Sequence, residues 1–214
     1  MPQSRKRQDA VRKPSQARSQ KRVEQILNAA KDLILSKGSA GLKMNDVADS
    51  AGVTIGSIYQ YFPNKSAIVG ALCKTYLDDN LLKMEAVLAS PPADLDELQE
   101  RISQLLKDFY SKYREDPVIR DIFAAMASDK TIQGIDADDT RQNTEIVFQR
   151  SRHLFDETRA TEVKQALYLI FSFAGTAVNI AFNQNKKEGR RTIDAADTML
   201  RAGWEAGIKP LARA

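Results

Sequence analysis

Between Thr54 and Lys65 the chain reads TIGSIYQYFPNK. Thr54 and Ser57 carry hydroxyls, Gln60 an amide, Tyr59 and Tyr61 phenols and Lys65 a cation, while Gly56 carries no side chain. Hydroxyls, phenols and ammonium groups donate to phosphate oxygens, contacts that position a protein on a duplex without reading its sequence. A glutamine amide can read adenine through two hydrogen bonds, and a serine hydroxyl can pair with several bases. The chemistry on offer is therefore recognition of a nucleic acid, provided some element brings these groups to one surface. A first helical turn that approaches a duplex closely has no room for bulk, which fits Gly56 and Ser57, with Ile55 beside them. The free amides of such a turn favour an anion.

The positioning elements follow from apolar spacing. Val23, Ile26, Leu27, Ala30, Leu33 and Ile34 recur at three and four residues, which predicts a helix over about 20–37, stopped by Gly38. A short helix over about 44–51 turns Val47 and Ala48 inward and ends at Gly52. A third, over about 55–62, has Thr54 as its N-cap and Ile58 and Phe62 facing inward. Two short helices joined by a tight turn form a helix-turn-helix, whose second helix enters the major groove.

The stretch DVADSAGVTIGSIYQYF, Asp46 to Phe62, followed by Lys65, closely resembles the N-terminal domain of the TetR family of bacterial transcriptional regulators. The resemblance covers about residues 22–72. It implies that Lys43, Asn45, Thr54, Ile55, Gly56, Ser57, Tyr59, Gln60, Tyr61 and Lys65 face double-stranded DNA. Two positions depart from the family pattern. Lys43 stands where a hydroxyl residue often caps the second helix, a bond lysine cannot accept, so Asn45 is the alternative cap. Ser66 stands where a glutamate often follows the lysine.

The rest of the chain sets bounds. Its 214 residues are 43% hydrophobic and 28% charged, ordinary for a soluble globular protein with a sizeable core. The single cysteine, Cys73, and single histidine, His153, rule out a disulfide framework and a zinc cluster, and no cofactor is implied. The run Asp129 to Thr140 has an incomplete likeness to a calcium loop and reads as a polar loop over 129–139. From Met1 to Arg22 eight basic residues oppose Asp9 alone, a net +7 in a chain of net +4, so the remainder is acidic. Residues 1–19 read as a flexible basic arm suited to a polyanion, with a solvated tail as the alternative. An N-terminal apolar core of a signal peptide is missing, which predicts a cytoplasmic protein.

Helical spacing continues to the C-terminus, giving an all-α fold of about nine helices: a helix-turn-helix domain over 20–66 and a helical domain over 67–214. Asp94 with Glu97 resembles a capping box, and Asp116-Pro117 opens a further helix. Lys186 to Arg191 reads as a basic turn before a last helix over about 192–211. The helix over about 161–185, uncharged from Gln165 to Asn185, is apolar nearly all round, but Ser172, Gly175, Thr176 and Asn179 interrupt it, which favours a buried helix over a membrane span.

The family resemblance implies a homodimer joined through the last two helices, with Ala174, Val178, Ala181, Leu200, Gly203, Trp204 and Gly207 at the interface; a monomer's core helix is the alternative. It also implies a small-molecule effector enclosed by the fourth to seventh helices. Tyr76, Phe109, Tyr110, Tyr113, Phe123, Met126, Phe148, His153 and Phe171 are the candidates to line its site, each with an alternative role in the core. Asn179 needs a partner if buried. The implied function is a sequence-specific regulator, most often a repressor, freed from a palindromic operator by its effector. The alternatives are a DNA-binding protein without an effector and, less well supported, an all-α enzyme: no nucleophile motif, paired acid and base or phosphate loop is present.

Overall fold

Two glycines with positive φ, Gly38 at 75° and Gly52 at 61°, separate the first three helices. That backbone region costs other residues strain, so both turns depend on glycine. The computed structural model describes residues 12–126 and 129–213, with the side chains of residues 12–16, Met126 and Thr131 outside that description. The chain divides into two compact units, Met1–Leu72 and Cys73–Ala214.

In the first unit, α1 spans Arg12–Lys37, α2 Met44–Ala51 and α3 Ile55–Tyr59. α1 thus begins within the segment expected to be a flexible arm: Ala17, Gln20, Lys21 and their neighbours are good helix formers and need no burial to stay helical. Residues 1–11 of that arm lie outside the described residues. Ile26, Ala30, Ile34, Val47, Ala48, Ile58 and Phe62 are buried here. α3 ends at Tyr59, three residues short of the expected end. The chain still curls through Phe62, whose amide donates to the Ile58 carbonyl at 2.8 Å. Pro63 disfavours a helical Phe62 and stops the helix.

α4, Lys65–Val87, starts in the first unit and continues into the second. The second unit adds α5 Leu95–Tyr113, α6 Pro117–Met126, α7 Lys130–Ser151, α8 Ala160–Phe182 and α9 Lys186–Gly207, with 3-10 turns at Arg152–Leu154, Glu157–Arg159 and Lys209–Leu211. Among the described residues the fold is nine α-helices and no strand. The capping box opens α5: Asp94 accepts from the Glu97 amide at 2.8 Å and Glu97 from the Ala93 amide at 2.6 Å. Asp116 accepts from the Val118 amide at 2.9 Å and opens α6. Leu88, Leu98, Val147, Phe155, Val163, Leu167, Trp204 and Ile208 form one buried cluster. Gly189 lets α9 pass close to α8: a Cβ there would lie 2.6 Å from the Ala181 carbonyl oxygen and 2.2 Å from the Tyr110 hydroxyl.

Two segments differ from the sequence reading. Lys186–Arg191 is the start of α9 rather than a turn; Asn185 Oδ1 accepts from the Lys187 and Glu188 amides at 3.1 Å each, and a capped run of Lys, Glu and Arg is helical without apolar residues. The run over 129–139, read as a loop, forms the first turns of α7. Ile132 is buried there, but the next inward positions, Asp136 and Thr140, are polar, so no apolar stripe marked these first turns as helix. The hydroxyls of Thr140, Thr144 and Ser151 are satisfied by carbonyls four residues back, at 3.1, 2.8 and 2.7 Å.

Candidate functional site

α2 and α3 present the first candidate surface. The Gly52 amide bonds back to Asp49 at 3.2 Å and the Val53 amide to Ala48 at 3.0 Å, which closes the turn. Thr54 caps α3, accepting from the Ser57 amide at 3.2 Å. Ile58, fully buried, and Phe62 anchor the helix, each contributing about 2 kcal/mol by burial. Thr54, Ile55, Gly56, Tyr59, Gln60 and Lys65 are exposed, and Ser57 and Tyr61 are half-buried. A Cβ at Gly56 would meet nothing within 4 Å, and φ there is not positive, so the chain's own packing does not require the glycine. Lys43 occupies the N-cap position of α2 without a side-chain cap, and Asn45 is exposed and makes no capping bond either. Lys65 donates to the Ala40 carbonyl at 3.2 Å. Lys37 donates to Asp46 at 2.8 Å and holds its carboxyl below the usual carboxylate range.

The second unit holds a partly open cavity of about 120 Å³. Leu77 and Met84 of α4, Ile102, Leu106 and Phe109 of α5, Phe123 of α6 and Ile170 and Phe171 of α8 give it apolar walls, while α7 adds Asp136, Asp139, Thr140 and Asn143. Phe109, Phe123 and Phe171, expected at an effector site, do meet here. Phe123 also packs edge-on against Phe182, with ring centroids 5.3 Å apart.

Five other expected lining residues lie elsewhere. The Tyr76 hydroxyl donates to Asp116 at 3.2 Å. Tyr110 is buried, stacks on Phe182 with centroids 5.7 Å apart, and accepts from Arg114 at 2.7 Å. Tyr113 donates to Asp79, which also takes Lys112 at 2.7 Å. Phe148 packs against the core under Lys164, 4.7 Å from its ring. His153 is exposed and its Nε2 donates to the Pro92 carbonyl at 2.9 Å. Tyr76 and Tyr113 thus tie helices together and Tyr110 ties the end of α5, and none of the three lines the cavity. Met126 ends α6 with its side chain outside the described residues.

The residues expected at a dimer interface also divide. Val178, Ala181 and Trp204 are buried inside the unit, at 4%, 0% and 1% exposure. Ala174, Val178, Leu200 and Trp204 line the cavity, and Gly203 and Gly207 are exposed. The outer face of α8 instead carries Leu169, Phe173 and Ile180, at 43%, 61% and 50% exposure, and that of α9 carries Met199 at 73%. α8 is apolar on both faces, so its sequence alone does not say which one faces its own unit. By length and hydropathy the segment Glu157–Phe182 could also cross a membrane. Asn179, whose burial was in question, is half-buried, and its Oδ1 accepts from Asn183 at 3.3 Å. Among the described residues no cluster of three or more His, Cys, Asp or Glu is arranged for a metal. Cys73 is buried, and burial first, then Asp136 and Asp139, push its thiol up to about 12, far from a nucleophile's range.

Residues 26–72 match the family model of bacterial regulatory proteins of the tetR family, and residues 96–205, more than half of the chain, match the tetracyclin repressor-like C-terminal domain. The chain belongs to the TetR family of bacterial transcriptional regulators. Among relatives in the family, the HTH-type transcriptional repressor KstR2 of Rhodococcus jostii (strain RHA1) is 32% identical over 69 residues, 32% of this chain and 34% of that protein. The chain thus spans about a third of that relative's length. A TetR-family regulator from Streptomyces coelicolor shares the fold at a TM-score of 0.64 and 21% identity, over 87% of this chain and 99% of that one. SmeT, the repressor of the Stenotrophomonas maltophilia multidrug efflux pump SmeDEF, does so at 0.63 and 19%, over 84% of this chain and 88% of that one.

Proposed function

We propose that the protein is a cytoplasmic, homodimeric repressor that reads a palindromic operator with α3 and is released by a small molecule held in the cavity of its second unit. The observation that carries the DNA reading is the bare surface at Gly56. Neither packing nor backbone conformation within the chain calls for a glycine there, whereas a duplex pressed against the first turn of α3 would. Around it Thr54, Tyr59, Tyr61 and Lys65 supply phosphate donors, and Ser57 and Gln60 the groups that pair with base edges. One such helix meets one half-site. The exposed apolar stripe of Leu169, Phe173 and Ile180, continued by Met199, supports a second copy on α8 and α9. A two-fold dimer would read two half-sites about 34–36 Å apart or a multiple of that.

The effector reading is supported by the cavity and by chain continuity: α4 carries the cavity residues Leu77 and Met84 and, at its start, Lys65. A ligand that binds two positions of α4 with different affinity would couple cavity and operator. Selection of bound duplexes from a random pool at physiological salt tests the central reading. A palindrome with two matching half-sites is the expected result. Retained DNA without a shared pattern would overturn sequence-specific regulation and leave a broad DNA binder.

A further inference from the structure

One wall of the cavity differs from the rest. Where α4, α5, α6 and α8 bring mostly apolar side chains, α7 brings Asp136, Asp139 and Asn143. Asn143 is 6% exposed; its Nδ2 donates to Asp139 Oδ2 at 2.7 Å, and its Oδ1 has no partner. Trp204, 1% exposed and also lining the cavity, leaves its Nε1 unpartnered. Folded chains leave few buried polar atoms in this condition, and a bound molecule is one explanation.

Charge points the same way. The other acid at the cavity, Asp197, is compensated: Lys107 lies at 2.7 Å, Arg201 at 3.2 Å, and Ser103 donates to it. Asp136 and Asp139 form no ion pair among the described residues. Lys74 acts on Asp139 only as the weakest of the influences on it, and its Nζ is 2.7 Å from Asp78. Burial, then the Asp136 charge, push Asp139 up to about 7, as befits a carboxyl held without a cation beside it.

We propose that the cavity takes a small organic amine: an apolar body whose one protonated nitrogen donates to Asp139 and to Asn143 Oδ1. This deepens the effector reading above and rests on it for its regulatory meaning. A carboxylate ligand of the same shape would meet two acids and is rejected by like charge. A cavity of about 120 Å³ suits a single ring with a short chain.

Isothermal titration calorimetry on the full chain with 2-phenylethylamine, 2-phenylethanol and phenylacetate tests this. The amine should bind at least tenfold more tightly than the alcohol, and phenylacetate should show no heat. Asp139→Asn should lower amine affinity at least tenfold and leave the alcohol unchanged. Equal binding of amine and alcohol, unchanged amine binding by Asp139→Asn, or no binding of the amine each overturns the proposal; the first and third need no variant and so stand apart from any folding defect. The same probes added to the protein–operator complex separate the two readings. Amine that binds but leaves DNA bound keeps the amine site and removes its effector role. Release by the neutral alcohol alone keeps the effector role and removes the amine site.

Discussion

The Asn143 amide nitrogen lies 2.7 Å from Asp139 Oδ2, while the Asn143 oxygen on the same buried group has no partner. The pair satisfies half of itself. A carboxylate fixed in this way inside a largely apolar cavity has a cost that can be measured.

That cost depends on pH. Asp139 is raised from 3.8 to about 7 by burial first and Asp136 second. Below pH 3.8 both folded and unfolded chains hold the proton, so there is no effect. Between 3.8 and 7 the folded chain holds more protons than the unfolded one, so stability falls as pH rises through this window and then levels off. Asp139→Asn should abolish this component and stabilise the protein at pH 8 by as much as roughly 4 kcal/mol. Urea unfolding of both proteins at pH 5 and pH 8 checks it; parallel curves would mean that Asp139 titrates normally.

Gly56→Ala separates folding from recognition. An alanine inside an exposed helix gains about 0.5–1 kcal/mol over glycine, and the structure has space for its methyl. Thermal unfolding should therefore be unchanged or slightly raised. Affinity for the selected duplex, read by fluorescence anisotropy, should drop, because the methyl intrudes where the groove approaches. Unchanged affinity would remove α3's first turn from the interface.

Tyr61→Ala and Lys65→Ala should weaken binding to every sequence alike. The lysine substitution should also reduce the salt slope by about one, for the single phosphate it no longer neutralises. Lys65 also bonds Ala40, so its loss should cost about 1 kcal/mol of folding stability as well. Gln60→Ala should relax preference at one base position. Uniform weakening by Gln60→Ala would make it a phosphate-binding residue.

On the dimer face, Phe173→Glu with Ile180→Glu should give a folded monomer by sedimentation velocity, since both side chains are at least half exposed. Trp204→Ala should instead cost about 3–5 kcal/mol of stability, because that ring is buried in the unit's own core. A dimer that survives the double glutamate places the interface elsewhere.

The helix-turn-helix was legible because its signals are local: Gly52 for the turn, Thr54 for the cap, Ile58 and Phe62 for the anchor. The cavity was not. Phe109, Phe123 and Phe171 were found by type, yet Tyr76, Tyr110 and Tyr113 are of the same type and hold polar ties instead, a difference that only their partners Asp116, Arg114 and Asp79 reveal. The first turns of α7 were read as a loop because, after Ile132, the inward positions Asp136 and Thr140 are polar, so the spacing that identified the neighbouring helices was absent there. Which side of α8 turns outward was not legible either, because a helix apolar nearly all round does not say which side faces its own unit.

The polar inner face of α7 has a kinetic consequence. With Ile132 and Val147 as its fully buried apolar anchors, this helix has less holding it to the unit than α8, whose Val163, Leu167, Ile170 and Val178 all face the core. Its amide protons should therefore be among the first of the second unit's helical amides to exchange with deuterium, through local opening rather than global unfolding. A molecule seated against Asp139 and Asn143 would slow that exchange, so occupancy of the cavity would be recorded as rigidity in one wall before any helix changed place.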